Sequence, residues 1–106
     1  MISENAKIGN NVTIHPSTVI EADVVIGDDV TIGAFCIIKS NVELGSGSVI
    51  MNYVEIRSHT IIGKNCYIDS RVSTSGECEI GDSVTLRYDT IIARGCKIGS
   101  NCYISP

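Results

Sequence analysis

Residues that could carry chemistry recur in this sequence at a spacing of 18. His59 and Glu77 show this spacing, and so do Lys39 and Arg57. A histidine beside a carboxylate can act as a general base, because the carboxylate orients the imidazole and stabilises its protonated form. Two adjacent cations favour an anion such as phosphate, which relieves their repulsion. Both arrangements require a fold that brings residues at this spacing into contact.

A six-residue repeat, or hexad, supplies that fold. Of the 18 positions at intervals of six from Ile2 to Ile104, 15 are Ile, two are Leu and one is Thr74. The residue four places after each aliphatic is small or β-branched. A period of six fits neither an amphipathic helix nor an ordinary strand, and it is typical of a hexapeptide β-helix. Two inward positions separated by one outward residue predict a three-residue strand, followed by a three-residue corner.

Three strands and three corners close a triangular coil of three hexads. The sequence therefore predicts an all-β parallel helix of about six coils, forming one domain over residues 1–106. One corner carries glycine in every coil, which favours a purely structural role for it. Its glycines are Gly9, Gly27, Gly45, Gly63, Gly81 and Gly99.

A second corner holds the candidate site. Asp23, Asn41, His59 and Glu77 stack in one of its columns. We predict that His59 is the catalytic base and that Glu77 orients it. We predict that a ligand contacts Lys39, Arg57, Arg94 and Asn41, and no residue is assigned to a metal. A solvated corner with a surface histidine, on which Glu21 compensates the stacked cations, is the alternative interpretation.

The third corner carries aromatic residues and opposite charges. Asp69 stacks on Arg87 and Arg71 on Asp89, which predicts two structural ion pairs. An apolar group at this edge favours a contact with a partner subunit over a ligand platform. Its members are Phe35, Met51, Tyr53 and Tyr88.

The cysteines and the overall charge limit the functional classes. All five cysteines occupy the small inward position, which predicts reduced core thiols rather than a disulfide or metal scaffold. Twelve acidic against eight basic residues give a net charge of -4, which argues against nucleic acid and anionic membranes as partners. With no signal peptide or membrane span recognisable, we expect a cytoplasmic protein. The cysteines are Cys36, Cys66, Cys78, Cys96 and Cys102.

The repeat resembles that of the hexapeptide-repeat, left-handed β-helix acyltransferases over the whole chain. The stretches Ile8-Gly9-Asn10-Asn11-Val12-Thr13-Ile14-His15-Pro16 and Val25-Ile26-Gly27-Asp28-Asp29-Val30-Thr31-Ile32-Gly33 are similar to the opening coils of the UDP-N-acetylglucosamine acyltransferases. This resemblance implies a left-handed coil and a homotrimer of parallel prisms with sites in the clefts between subunits. It also implies acyl transfer from acetyl-CoA, another acyl-CoA or acyl carrier protein to a hydroxyl or amine of a sugar or nucleotide sugar. The acyl-CoA would be a co-substrate, and no covalently bound cofactor is expected.

Other functions stay open at this stage. The enzymes of the resembled family usually carry an extra loop or a terminal helical segment, and neither is visible between Ile2 and Ile104. The chain could instead be a non-catalytic trimer that binds a small, nucleotide-like anion between subunits, a scaffold, or the front fragment of a longer acyltransferase. A γ-type carbonic anhydrase is excluded, because its zinc site needs three histidines and the chain has two.

Overall fold

The chain winds into a triangular prism of short parallel strands. A computed structural model describes all residues, Met1–Pro106, and contains seventeen strands of two residues each and no helix. No segment therefore forms a helix that is long and apolar enough to cross a membrane. In chain order the strands are β1 (Lys7–Ile8), β2 (Thr13–Ile14), β3 (Val19–Ile20), β4 (Val25–Ile26), β5 (Thr31–Ile32), β6 (Ile37–Ile38), β7 (Glu43–Leu44), β8 (Val49–Ile50), β9 (Glu55–Ile56), β10 (Ile61–Ile62), β11 (Tyr67–Ile68), β12 (Ser73–Thr74), β13 (Glu79–Ile80), β14 (Thr85–Leu86), β15 (Ile91–Ile92), β16 (Lys97–Ile98) and β17 (Tyr103–Ile104).

Each strand pairs in parallel with the strand one coil away. Ile8 lies opposite Ile26, and Ile62 lies opposite Ile80, so the register between paired strands is three hexads. The three sides of the prism are sheets of six, six and five strands, ordered β1-β4-β7-β10-β13-β16, β2-β5-β8-β11-β14-β17 and β3-β6-β9-β12-β15. The predicted triangular coil of three hexads is thus confirmed.

The strands are one residue shorter than predicted. Only the outward residue and the aliphatic residue after it have strand geometry, and the small inward residue ends the preceding corner. Its carbonyl still belongs to the ladder between coils, since the Lys7 N–H donates to the Val24 carbonyl at 2.8 Å. The shorter strand therefore leaves the stacking of the coils unchanged.

The interior of the prism is a column of aliphatic side chains. A single cluster of 21 buried hydrophobic residues fills it, and side chains such as Ile38 and Ile56 are completely inaccessible to solvent. Cys36, Cys66 and Cys78 are buried in the same core, and burial raises the pKa of the Cys36 and Cys66 thiols.

The prediction that all five cysteines are buried is wrong for two of them. Cys96 and Cys102 have the same inward position as the other three but are exposed. They lie in the last coil that the structure describes, in which each strand is paired on one side only. All five thiols are free, as predicted.

The third residue of every corner from Asp23 onward adopts the left-handed backbone conformation, and so does Asn11 in the first coil. The sequence predicts this at the glycine corner, where Asn11 has φ of 58° and Asp29 of 60°. The same conformation occurs at the other two corners, where His59 has φ of 62° and Phe35 of 57°. This conformation is unfavourable for residues with a Cβ, so the ladder on both sides of the corner must impose it.

Two buried hydroxyls add hydrogen bonds between neighbouring coils. Thr18 Oγ1 donates to the Gly33 carbonyl at 2.6 Å and accepts from the Cys36 N–H at 3.1 Å. Ser48 repeats this pattern further along the chain with the Gly63 carbonyl and the Cys66 N–H. Three other buried hydroxyls have no hydrogen-bond partner: Thr60, Thr74 and Thr90.

These two kinds of buried threonine predict opposite responses to the same substitution. Thr18→Val leaves the buried Cys36 N–H without an acceptor, so we expect the free energy of unfolding to fall by about 1–3 kcal/mol. Thr60→Val is the matched control, because it removes a hydroxyl with no partner and should leave stability unchanged or higher. Urea denaturation followed by circular dichroism measures both variants. Equal losses in the two would contradict the assigned role of the Thr18 hydroxyl.

Candidate functional site

The predicted site residues line a polar groove on one corner of the prism. The groove has a volume of about 520 Å³, and none of its ten lining residues is hydrophobic. It contains five of the six predicted residues: Lys39, Arg57, His59, Glu77 and Arg94. The sixth, Asn41, lies in a second groove of about 330 Å³ beside the first, together with Asp23 and Glu43. His59 lines both grooves and therefore stands on the ridge between them.

Backbone stacking aligns His59 with Glu77. The Glu77 N–H donates to the Ser58 carbonyl at 3.0 Å, which holds the two corners in register about 4.8 Å apart. Both residues have positive φ, at 62° and 55°. Because equivalent backbone conformations direct the Cα–Cβ bonds the same way, the two side chains leave the prism in parallel.

Each cation of the groove is already paired with a carboxylate. Lys39 Nζ lies 3.4 Å from Glu21 Oε2, Arg57 Nε lies 3.5 Å from Glu55 Oε1, and Arg94 Nε lies 2.9 Å from Glu77 Oε2. Three positive charges thus face three negative ones, so the groove has no formal net charge while His59 is neutral. All six side chains are substantially exposed, and such pairs are weak because water solvates both partners. An anionic ligand can therefore replace a carboxylate.

The Glu77 carboxylate is bonded to Arg94 and not to His59. The hydrogen bond from Arg94 and the charge of its guanidinium are the main reasons why the pKa of Glu77 lies below its usual value. Slight desolvation opposes this shift, and the nearby His59 adds a smaller lowering. The structure brings the predicted His59 and Glu77 into one column without a hydrogen bond between them.

Sequence reasoning missed several residues of the groove. Glu55 lies on β9, two residues before its partner Arg57, and is the only acidic residue facing outward from its sheet. That isolation was a usable signal. Ser58, Ser75 and Gly76 also line the groove, but side chains this small carry no distinctive pattern in a sequence rich in serine and glycine.

The third corner separates into two clusters. The rings of Phe35 and Tyr53 stack in successive coils, with centroids 5.2 Å apart and planes 15° apart. Tyr88 does not join them, and its ring lies 5.6 Å from the guanidinium of Arg87 instead.

Both predicted ion pairs of the third corner form. Arg71 Nε lies 2.8 Å from Asp89 Oδ1, and Arg87 Nε lies 3.2 Å from Asp69 Oδ2. The pKa of Asp69 is lowered, mainly because its carboxylate accepts the backbone N–H of Ser70 and also because Arg87 is close. These contacts join neighbouring coils, as expected of a structural corner.

Comparison with known families identifies the repeat. Residues 2–87 match the family described as the GMPPB C-terminal domain. The chain belongs to this family. Among curated protein sequences, a direct search finds no match. No group of three or more His, Cys, Asp or Glu side chains in this member of the GMPPB C-terminal domain family could hold a metal ion.

Solved structures of hexapeptide-repeat acyltransferases share the fold of this GMPPB C-terminal domain family member. A mutant perosamine N-acetyltransferase from Caulobacter crescentus, in complex with CoA and GDP-perosamine, has a TM-score of 0.76 at 19% identity over 99% of this chain and 47% of its own. UDP-N-acetylglucosamine acyltransferase from Francisella novicida has a TM-score of 0.55 at 24% identity, over 94% of this chain and 46% of its own. The acetyltransferase domain of PglB from Neisseria gonorrhoeae, in complex with acetyl coenzyme A, has a TM-score of 0.56 at 19% identity, over 95% of this chain and 51% of its own. The resemblance to these acyltransferases is confirmed for the fold, and the chain spans about half of their length.

The ion pair of Glu77 predicts how its carboxylate titrates. In Arg94→Gln the hydrogen bond and the positive charge are lost, so the pKa of Glu77 should rise from its lowered value towards the ordinary one. NMR titration of the side-chain carboxyl carbon measures this pKa. Arg71→Gln is the matched control, since it removes an exposed ion pair at a different corner. An unchanged Glu77 titration in Arg94→Gln would contradict the pairing.

Proposed function

We propose that this chain is an acyltransferase of the hexapeptide-repeat type. It transfers an acyl group from acyl-CoA or acyl carrier protein to a hydroxyl or amine of a sugar or nucleotide sugar. The observation that supports this proposal is the position of His59 on a ridge between two grooves, with Glu77 in its column and three cations in the larger groove. A base between two grooves can meet a donor on one side and an acceptor on the other.

In the proposed reaction His59 acts on the acceptor. An uncharged imidazole nitrogen accepts the proton of the acceptor O–H or N–H while the oxygen or nitrogen attacks the thioester carbonyl. The tetrahedral intermediate then collapses, the carbon–sulfur bond breaks, and the thiolate takes the proton from the imidazolium. The acyl group ends on the acceptor, the free thiol leaves, and His59 returns to its neutral form.

The cations would bind the phosphate groups of the donor or of a nucleotide sugar. A phosphate near Arg57, Arg94 or Lys39 would form charge-assisted hydrogen bonds of the kind that these cations now form with carboxylates. Binding would therefore exchange one anionic partner for another. The CoA and GDP-perosamine in the Caulobacter crescentus structure, and the acetyl coenzyme A in the PglB domain, are ligands of this charge class.

We further propose a homotrimer of parallel prisms. Apolar side chains face outward on the two sheets that meet at the His59 corner, and Ile91 is 75% exposed. The others are Val25, Ile37 and Ile61, each about two-fifths exposed. Contact between prisms would remove these side chains from water and place His59 near a cleft between subunits. The free thiols fit the cytoplasm as the compartment, where cysteines stay reduced.

A second candidate function is non-catalytic binding of a small anion at the same groove. The observation that favours it is that the Glu77 carboxylate is bonded to Arg94 and not to His59, so the histidine lacks the partner that would orient it as a base. Such a protein would bind a nucleotide-like ligand or serve as a scaffold without transferring an acyl group.

Substitution of His59 separates the two functions. We expect the native protein to bind acetyl-CoA in calorimetry and to acetylate an amino or hydroxyl sugar nucleotide. His59→Ala should retain donor binding but lose kcat by about 10²–10⁴-fold, since it removes the base. His15→Ala, which changes the histidine of another corner, is the control and should leave kcat unchanged. Absence of acetyl-CoA binding in every variant, together with no transfer from an acylated acyl carrier protein, would refute the enzyme proposal, while acetyl-CoA binding without turnover would favour the second function.

The trimer has a direct physical test. Light scattering at micromolar concentration should give the mass of three chains of 11.3 kDa. Ile61→Glu places a charge on the expected contact without touching the core, because this side chain is 43% exposed, and it should lower the mass to that of one chain. A native mass of one chain would refute the trimer.

A further inference from the structure

Glu77 lies between two groups that compete for its carboxylate. From the next coil, Arg94 Nε donates to Glu77 Oε2 at 2.9 Å. From the preceding coil, His59 occupies the same corner position as Glu77 and projects in the same direction. Bonded to Arg94 through Oε2, the carboxylate makes no hydrogen bond to the imidazole of His59, so the ion pair holds Glu77 in a position that it has to leave to reach His59.

The next position in the column of Glu77 leaves room for Arg94. That position is Gly95, which has no side chain and has φ of 77°. Arg94 and Glu77 are both exposed, at 69% and 51% of their side-chain surfaces. Because water can solvate each partner separately, the pair can open without a large cost.

We propose that Arg94 is a positioning residue that controls the orientation of His59 through Glu77. Without an anion in the groove, Arg94 holds the Glu77 carboxylate away from the imidazole. A phosphate group that binds Arg94 takes over the guanidinium, and Glu77 is then free to accept an N–H from His59. His59 becomes fixed in one tautomer only when the donor is present. This last link rests on the proposed function, because it needs an anionic donor in the groove.

The other charged groups around His59 do not provide this coupling. In the larger groove Arg57 is paired with Glu55 and Lys39 with Glu21, and neither pair includes Glu77. In the second groove the charged neighbours are the carboxylates of Asp23 and Glu43. Substitution of Arg94 leaves these groups unchanged, so they set a constant background among the variants.

The test observes the imidazole of His59 directly. The ¹⁵N resonances of its two ring nitrogens report the tautomer, and the spectra are recorded above the titration range of ordinary histidine, at about pH 8. We expect exchanging tautomers in the native protein and a single dominant tautomer, with the two resonances further apart, in Arg94→Gln. Arg94→Lys keeps the cation and should restore the native spectrum. The double variant Arg94→Gln with Glu77→Gln should also return to it, since the released carboxylate is gone.

The second part of the experiment adds coenzyme A and records the same ¹⁵N resonances of His59. Added to the native protein, it should separate the two resonances as Arg94→Gln does. An Arg94→Gln spectrum identical to the native one would overturn the proposal, and so would CoA that binds in calorimetry without moving the resonances. If CoA does not bind at all, the donor assignment fails, and the variants alone still decide whether Arg94 acts on His59 through Glu77. Because Arg94 is exposed, none of these substitutions touches the core.

Discussion

The parallel backbone ladder between coils determines every other feature of this protein. Each strand is only two residues long, so no single pairing is strong, and the prism exists because seventeen strands repeat the same register of one full coil. The ladder stacks aliphatic side chains along the axis and imposes positive φ at corners occupied by residues as bulky as Phe35 and Tyr53. It also explains why Cys96 and Cys102 are exposed despite their inward position, because burial in this fold comes from the neighbouring coil rather than from the residue's own coil.

The site is a consequence of the same ladder. A corner that recurs once in every coil places its side chains in columns. Each side chain in a column therefore lies next to residues of the coil above and of the coil below. Glu77 has Arg94 on one side and His59 on the other for this reason. The groove is a set of ion pairs rather than a cluster of charges of one sign. The proposed anion would then bind by exchange of ion-pair partners, so the free and occupied states of the groove would differ in hydrogen bonding more than in shape.

The fold could be predicted from the sequence almost completely, whereas the site could be predicted only in part. A repeat of six with a single exception in its aliphatic column, at Thr74, has few structural solutions, and stacking follows from residue numbers alone. The spacing of 18 residues also predicted that His59 and Glu77 lie in one column. Residue spacing could not predict the hydrogen bond between Glu77 and Arg94. That bond depends on how far the Arg94 side chain extends past the neighbouring Gly95, which has no side chain. Likewise Asn41 shares a corner with His59 but faces the second groove.

The register of one full coil also limits how such a chain can change in length. An insertion of three hexads adds a coil and returns every later residue to its own corner, so the columns on either side of it stay intact. An insertion of a single hexad keeps the core equally well packed, since the aliphatic positions keep their phase, yet it moves all later corners by one third of a turn. Between His59 and Glu77 it would carry Glu77 and Arg94 to another edge of the prism and leave His59 behind. The core therefore tolerates insertions of any whole number of hexads, whereas the groove tolerates only insertions of three hexads or a multiple of three.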